Sequence, residues 1–115
     1  MSRLKIGRKS MVATSMGTDE NFVTRMTYHN TVVAMMQGPK GSKHIPGKPS
    51  LIHLNNGGYY SVTTKRRMNQ FAALTGTGFQ VWQTKGEWFV EYTDSEGVKR
   101  TQPFEDGKAS FVVGV

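Results

Sequence analysis

The amino-acid sequence predicts an α+β domain, a small mostly antiparallel sheet of about six to seven strands with one helix inserted between strand hairpins. Three observations carry this. Apolar and polar residues alternate on both sides of Lys85-Gly86. Only the stretch at about 64–75 repeats its apolar residues at helical spacing. Clusters of Gly, Pro and Asn punctuate the rest.

Residues 1–20 mix basic, small and polar side chains without a clear period. They read as a flexible basic N-terminal arm containing Arg8 and Lys9, with a short strand at Leu4–Ile6. Residues 21–115 then form a single domain, which suits a chain of 115 residues. From Phe22 to Tyr28 alternate residues share a face, and Thr31–Met36 is β-branched and apolar. The two stretches make a hairpin or one long bent strand. At 37–49 Gly, Pro and Lys alternate, forming a basic loop with Lys40, Lys43, Lys48 and His44. Such a loop is either functional or a tolerated insertion.

Leu51–Leu54 and Gly58–Thr63 flank Asn55-Asn56-Gly57-Gly58. Asn-Gly is a strong hairpin signal, so Leu54 is expected opposite Tyr59 and His53 opposite Tyr60. Thr63 or Thr64 then caps the helix. Met68, Phe71, Ala72 and Thr75 lie on its apolar side, and Gly76 and Gly78 end it. Phe79–Thr84 and Glu87–Thr93 form the next hairpin, with Val81 opposite Val90, Gln83 opposite Trp88 and Trp82 opposite Phe89. A last strand runs from Val98 to about Gln102, and the tail at Phe111–Val113 docks on the sheet.

Charge narrows the function. Residues 1–67 hold eleven Lys/Arg against two acids, whereas residues 68–115 hold four against six. That asymmetry suggests a basic face or arm that meets a polyanion. With no cysteine there is neither a disulfide framework nor a thiolate metal site. No apolar run approaches the ~20 residues of a membrane span. His29, His44 and His53 lie in separate elements without ligand spacing, and the acids cluster in Gly-containing turns. No catalytic motif, cofactor motif or metal site is evident, so a binding protein is expected rather than an enzyme.

The binding candidates centre on the helix start. Lys65, Arg66 and Arg67 stand where the helix already presents partial positive charge, a conflict that a bound phosphate would relieve. Successive helical residues point in different directions, so at most two of the three grip one anion. Asn69 and Gln70 carry amides suited to base edges, and Tyr59 or Tyr60 could stack. The competing reading of these residues is a solvated polar helix face. Trp82 and Phe89 form either a stacking platform or a patch covered by the helix beside Met68 and Phe71. The covered arrangement is expected, because the face offers little other apolar surface, and Glu87 and Glu91 on it count against nucleic acid there.

The stretches GGYYSVTTKRRMNQFA, FQVWQTKGEWFV and PFEDG, with Tyr28-His29 upstream, resemble a family of small tailed-phage proteins with no assigned activity. The resemblance implies a phage gene product acting in the host bacterial cytoplasm. Two functions follow as expectations. The first is a nucleic-acid-binding accessory protein, on DNA or RNA. The second is a host-takeover protein that docks on a bacterial protein. The sequence does not fix an oligomeric state.

Overall fold

A computed structural model of the protein describes residues 14–38, 43–58 and 60–114. The described elements, in chain order, are β1 (Thr14–Thr18), β2 (Val23–Tyr28), β3 (Thr31–Gln37), β4 (Ser50–Asn55), α1 (Val62–Thr75), β5 (Gln80–Thr84), β6 (Glu87–Thr93), β7 (Lys99–Pro103) and β8 (Lys108–Val113). They make two antiparallel sheets, one of five strands in the order β1-β2-β3-β4-β8 and one of three in the order β5-β6-β7. The α+β class stands, with eight strands where six to seven were expected.

Alternation decides which side chains go inside. Ile52 and Leu54 of β4 and Ala109, Phe111 and Val113 of β8 face one core. Val81, Trp88 and Val90 face the same core from the second sheet, and α1 adds Met68, Phe71 and Ala72. A bulge shifts the β2–β3 register between Met26 and Thr27, which lets the adjacent Val33 and Ala34 both be buried. Phe111 fastens the two sheets together, stacked 4.4 Å from Tyr92 and edge-on to Phe79 at 5.5 Å.

Three expectations change. Thr14–Thr18, placed in the flexible arm, is a strand paired with β2 from Thr14↔Tyr28 to Thr18↔Thr24; the rest of the arm lies outside the described residues. The Asn-Gly hairpin does not form, because β4 pairs with β3 and β8 instead. Asn55 and Asn56 each accept, through Oδ1, the backbone N–H two residues on, from Gly57 at 2.9 Å and Gly58 at 2.8 Å. These local side-chain turns compete with the ladder and lead the chain into α1. The stretch read as strand, Gly58–Thr63, therefore holds the cap and first turn of the helix. Ser61 is the N-cap, its Oγ accepting from the Thr64 N–H at 3.1 Å. At the other end Gly76, at φ 77°, donates its N–H to Ala72 O and ends α1 as expected.

The β5–β6 hairpin is as read, turning on Lys85 and Gly86 at positive φ, with Val81↔Val90, Trp82↔Phe89 and Gln83↔Trp88. Val98–Gln102 is realised as β7, and the docking tail is β8 itself.

Candidate functional site

With Ser61 as the cap, Lys65, Arg66 and Arg67 fall in the second turn of α1 rather than the first. Their conflict with the helix dipole is accordingly milder than the sequence implied, since that field fades within a turn. The first turn holds no acid either. Ser61 and Thr64 line one hollow and Tyr60 another.

The three cations separate as helical geometry requires. Lys65 leans over the Trp88 ring, 5.8 Å from its centroid, and donates from Nζ to Gln83 Oε1 at 3.1 Å. Arg66 is exposed. Arg67 turns inward and is only 4 % exposed. Its Nε donates to Thr14 Oγ1 at 2.9 Å, and a terminal nitrogen donates to Gln70 Oε1 at 3.2 Å. The guanidinium lies 5.4 Å from the Tyr28 ring. Burial pushes its pKa below the ordinary arginine value, with Tyr28 offsetting the shift and the Arg66 charge adding to it. Among the described residues, no carboxylate pairs with it.

The two amides do structural work. Asn69 clamps α1 to β5, its Nδ2 donating to Val81 O at 3.1 Å and its Oδ1 accepting from Val81 N at 2.8 Å. Gln70 orients Arg67. Neither is left as a free reader of base edges.

Tyr60 remains open, with 52 % of its surface exposed. Its ring stands edge-on to Trp88 at 5.6 Å and 87°. Phe104 meets Trp88 the same way on another side, at 5.5 Å and 72°. Tyr60, Trp88 and Phe104 thus wall a hollow of about 320 Å³, closed by Gly86, Glu87 and Pro103. The Trp88 indole N–H is buried without an acceptor among the described residues. On the other side of Ser61 lies a second hollow of about 340 Å³, bounded by the β2–β3 turn.

Lys43 and Lys48 are exposed, but at the far end of the helix. Their loop is pinned there by buried His44, whose N–H donates to Thr75 O at 2.7 Å and whose Nδ1 bonds Ser50 Oγ at 2.8 Å. The rise of a helix places that end about 20 Å from the Ser61 cap. Tyr59, Lys40, Arg8 and Lys9 lie outside the described residues.

Trp82 and Phe89 stack on each other at 5.8 Å, half-buried, on the face of the second sheet turned away from the core. The helix does not cover them. Met68 and Phe71 pack with Val81 and Val90 on the opposite face, as alternation along a strand dictates. Phe89 also pairs across to Pro103, so one apolar row crosses three strands.

Sequence reasoning missed Asn56, Trp88 and Phe104 as neighbours of the helix start. The aromatic content around GEWFV was visible, but the pairing that brings β6 beside Tyr60 is tertiary. Among the described residues no three His, Asp or Glu gather as metal ligands would, and no helix is long and apolar enough to cross a membrane.

Fold and site define a small basic two-sheet domain whose single described helix starts beside an open aromatic hollow. The chain belongs to the Kyanoviridae Gp96 protein family, whose model matches residues 7–110, and it is thus a phage protein. No curated protein and no solved structure matches it.

Proposed function

We propose that the protein binds single-stranded nucleic acid in the host cytoplasm, at the start of α1. The observation that carries this is the half-exposed Tyr60, propped edge-on against Trp88 with Lys65 over the same indole. Its open ring offers a stacking surface, and only unpaired bases expose a face to stack on it. Arg66, exposed in the second turn of α1, supplies a phosphate contact, and Lys43 and Lys48 extend the contact along the strand. The function is binding, not catalysis, and needs no cofactor.

Fluorescence anisotropy with short single-stranded DNA, duplex DNA and RNA, titrated from low to physiological salt, tests the proposal. Binding to a single strand that persists near physiological salt supports it. Weak binding to all three that vanishes with salt means nonspecific charge and overturns it.

A second reading rests on the Trp82–Phe89–Pro103 row, an apolar surface on the outer sheet face that suits docking to a bacterial host protein. A pull-down from nuclease-treated host lysate, with a Trp82→Ala/Phe89→Ala variant beside the native protein, tests it. A stoichiometric partner lost with the variant supports this reading, and its absence removes it.

A further inference from the structure

The hollow on the β2–β3 side of Ser61 contains donors and no acids. Tyr28, His29, Thr31, Asn56, Ser61 and Thr64 are among its lining residues, and neither Asp nor Glu is. Ser61 caps Thr64, and the Lys65 N–H turns back to Ser61 O. The N–H groups of Val62 and Thr63 precede any intrahelical partner.

Two further observations point to an anion there. Asn56 is 1 % exposed, its Oδ1 is taken by the Gly58 N–H, and its Nδ2 has no acceptor among the described residues. A buried amide donor without a partner is destabilising, and an incoming acceptor would relieve it. The side chain is held through its Oδ1 by the Gly58 N–H, and the Asn56 backbone N–H is tied to Gly107 O at 2.9 Å. Gly107 itself packs so closely that a Cβ there would collide with Asn56 Oδ1. The second observation is Arg67, a buried guanidinium behind Tyr28 with neutral partners alone among the described residues. Arg67 does not line the cavity itself but packs on Tyr28, which does, and a buried cation without a carboxylate partner adds positive potential there.

We infer that this hollow is a phosphomonoester site. The phosphate sits on the Val62 and Thr63 N–H groups, with the Asn56 amide and the Thr31 hydroxyl as further donors. The cavity, at about 340 Å³, is larger than a phosphate alone, and apolar Val33 and the Tyr28 ring line part of it. A sugar and base therefore fit behind the phosphate. The source is either a free 5′-mononucleotide or the 5′-phosphorylated end of a strand. In the second case the inference rests on the nucleic-acid reading above and gives it a polarity: the strand end enters here and the following bases pass Tyr60.

The test is titration in phosphate-free buffer with inorganic phosphate, 5′-dTMP, and a short oligothymidylate with either a 5′-phosphate or a 5′-hydroxyl. Backbone amide and Asn side-chain NMR signals are followed alongside anisotropy. A strand-end site predicts that the phosphorylated strand binds on the order of tenfold tighter than its hydroxyl twin. The Val62 and Thr63 amides and the Asn56 side chain shift with it. The same shifts with 5′-dTMP, and no binding of either strand, support a free-nucleotide site and remove the strand reading. Equal affinity for both strands without those shifts overturns the inference and leaves the strand reading intact. No binding of any probe overturns both. Asn56→Asp, which keeps the shape but places a carboxylate against the phosphate, abolishes the 5′-phosphate preference. The native-protein shifts decide the matter if that variant does not fold.

Discussion

Phe22 stands in one hairpin turn where Gly97 stands in another. In both, an aspartate opens the turn and accepts two backbone N–H groups through Oδ1: Asp19 from Asn21 and Val23 at 2.8 and 3.1 Å, Asp94 from Glu96 and Val98 at 2.9 and 3.0 Å. In both, Oδ2 pairs with an arginine six residues on, Arg25 or Arg100, at 2.7 Å. The residue at the fourth position is left-handed, Phe22 at φ 62° and Gly97 at φ 78°. Glycine fits that conformation; an L side chain is strained there by roughly 1–2 kcal/mol.

Phe22→Gly should therefore leave stability unchanged or raise it by up to about 1 kcal/mol, once the greater unfolded-state freedom of glycine is counted. The Phe22 side chain is 55 % exposed, so little packing is lost. Gly97→Ala should do the reverse and cost about 1 kcal/mol. Urea unfolding of the two variants checks both signs.

The two turns also set an acid response. Hydrogen bonds from Arg25 and Arg100 hold the Asp19 and Asp94 carboxyls below their ordinary pKa, and backbone N–H bonds add to it. A depressed folded-state pKa means stability that is present above the unfolded carboxylate value and is lost as pH falls through the folded one. The thermal midpoint should fall as pH drops below about 4. An Asp19→Asn/Asp94→Asn variant should show a shallower decline, measured by circular dichroism from neutral pH downward.

Asn69→Ala should destabilise the domain by roughly 1–3 kcal/mol, because the Val81 N–H and carbonyl lose their partners together. Single-strand affinity, measured where the variant is folded, should stay within a few-fold of native. A large loss of affinity with little loss of stability would return Asn69 to the binding surface.

Arg66→Ala should weaken single-strand binding and lower its salt slope by about one phosphate contact. Tyr60→Ala should weaken binding by about 1–3 kcal/mol with the slope unchanged, since stacking releases no counterions. Arg67→Ala is a poor probe of binding, because removing a buried side chain will also cost stability. Anisotropy across a salt series separates the Arg66 and Tyr60 variants.

The β5–β6 hairpin was legible to the residue, because strict alternation around Lys85-Gly86 leaves only one register that buries Val81, Trp88 and Val90 together. The helix and its Gly76 stop were legible for similar reasons of period and cap. Thr14–Thr18 was not: TSMGT has little β-propensity, and only pairing with β2 makes it a strand. The Asn-Gly signal misled because Asn55 and Asn56 turn their side chains onto nearby backbone instead. At the site, the sequence marked the basic helix start and Tyr60. It named Arg67 as a phosphate contact but could not show its inward turn, which depends on Tyr28 and Thr14 arriving from distant strands.

Phe111 and its strand have a bearing on how the chain is made. β8 is synthesised after every other described strand, yet it completes the pairing of β4 and brings the ring that joins Tyr92 to Phe79. Until it emerges from the ribosome, β4 offers a bare edge. The helix already ties the two sheets, through Asn69 to Val81 and through Arg67 to Thr14, so the last strand supplies the cover over that edge and the aromatic contact that finishes the core.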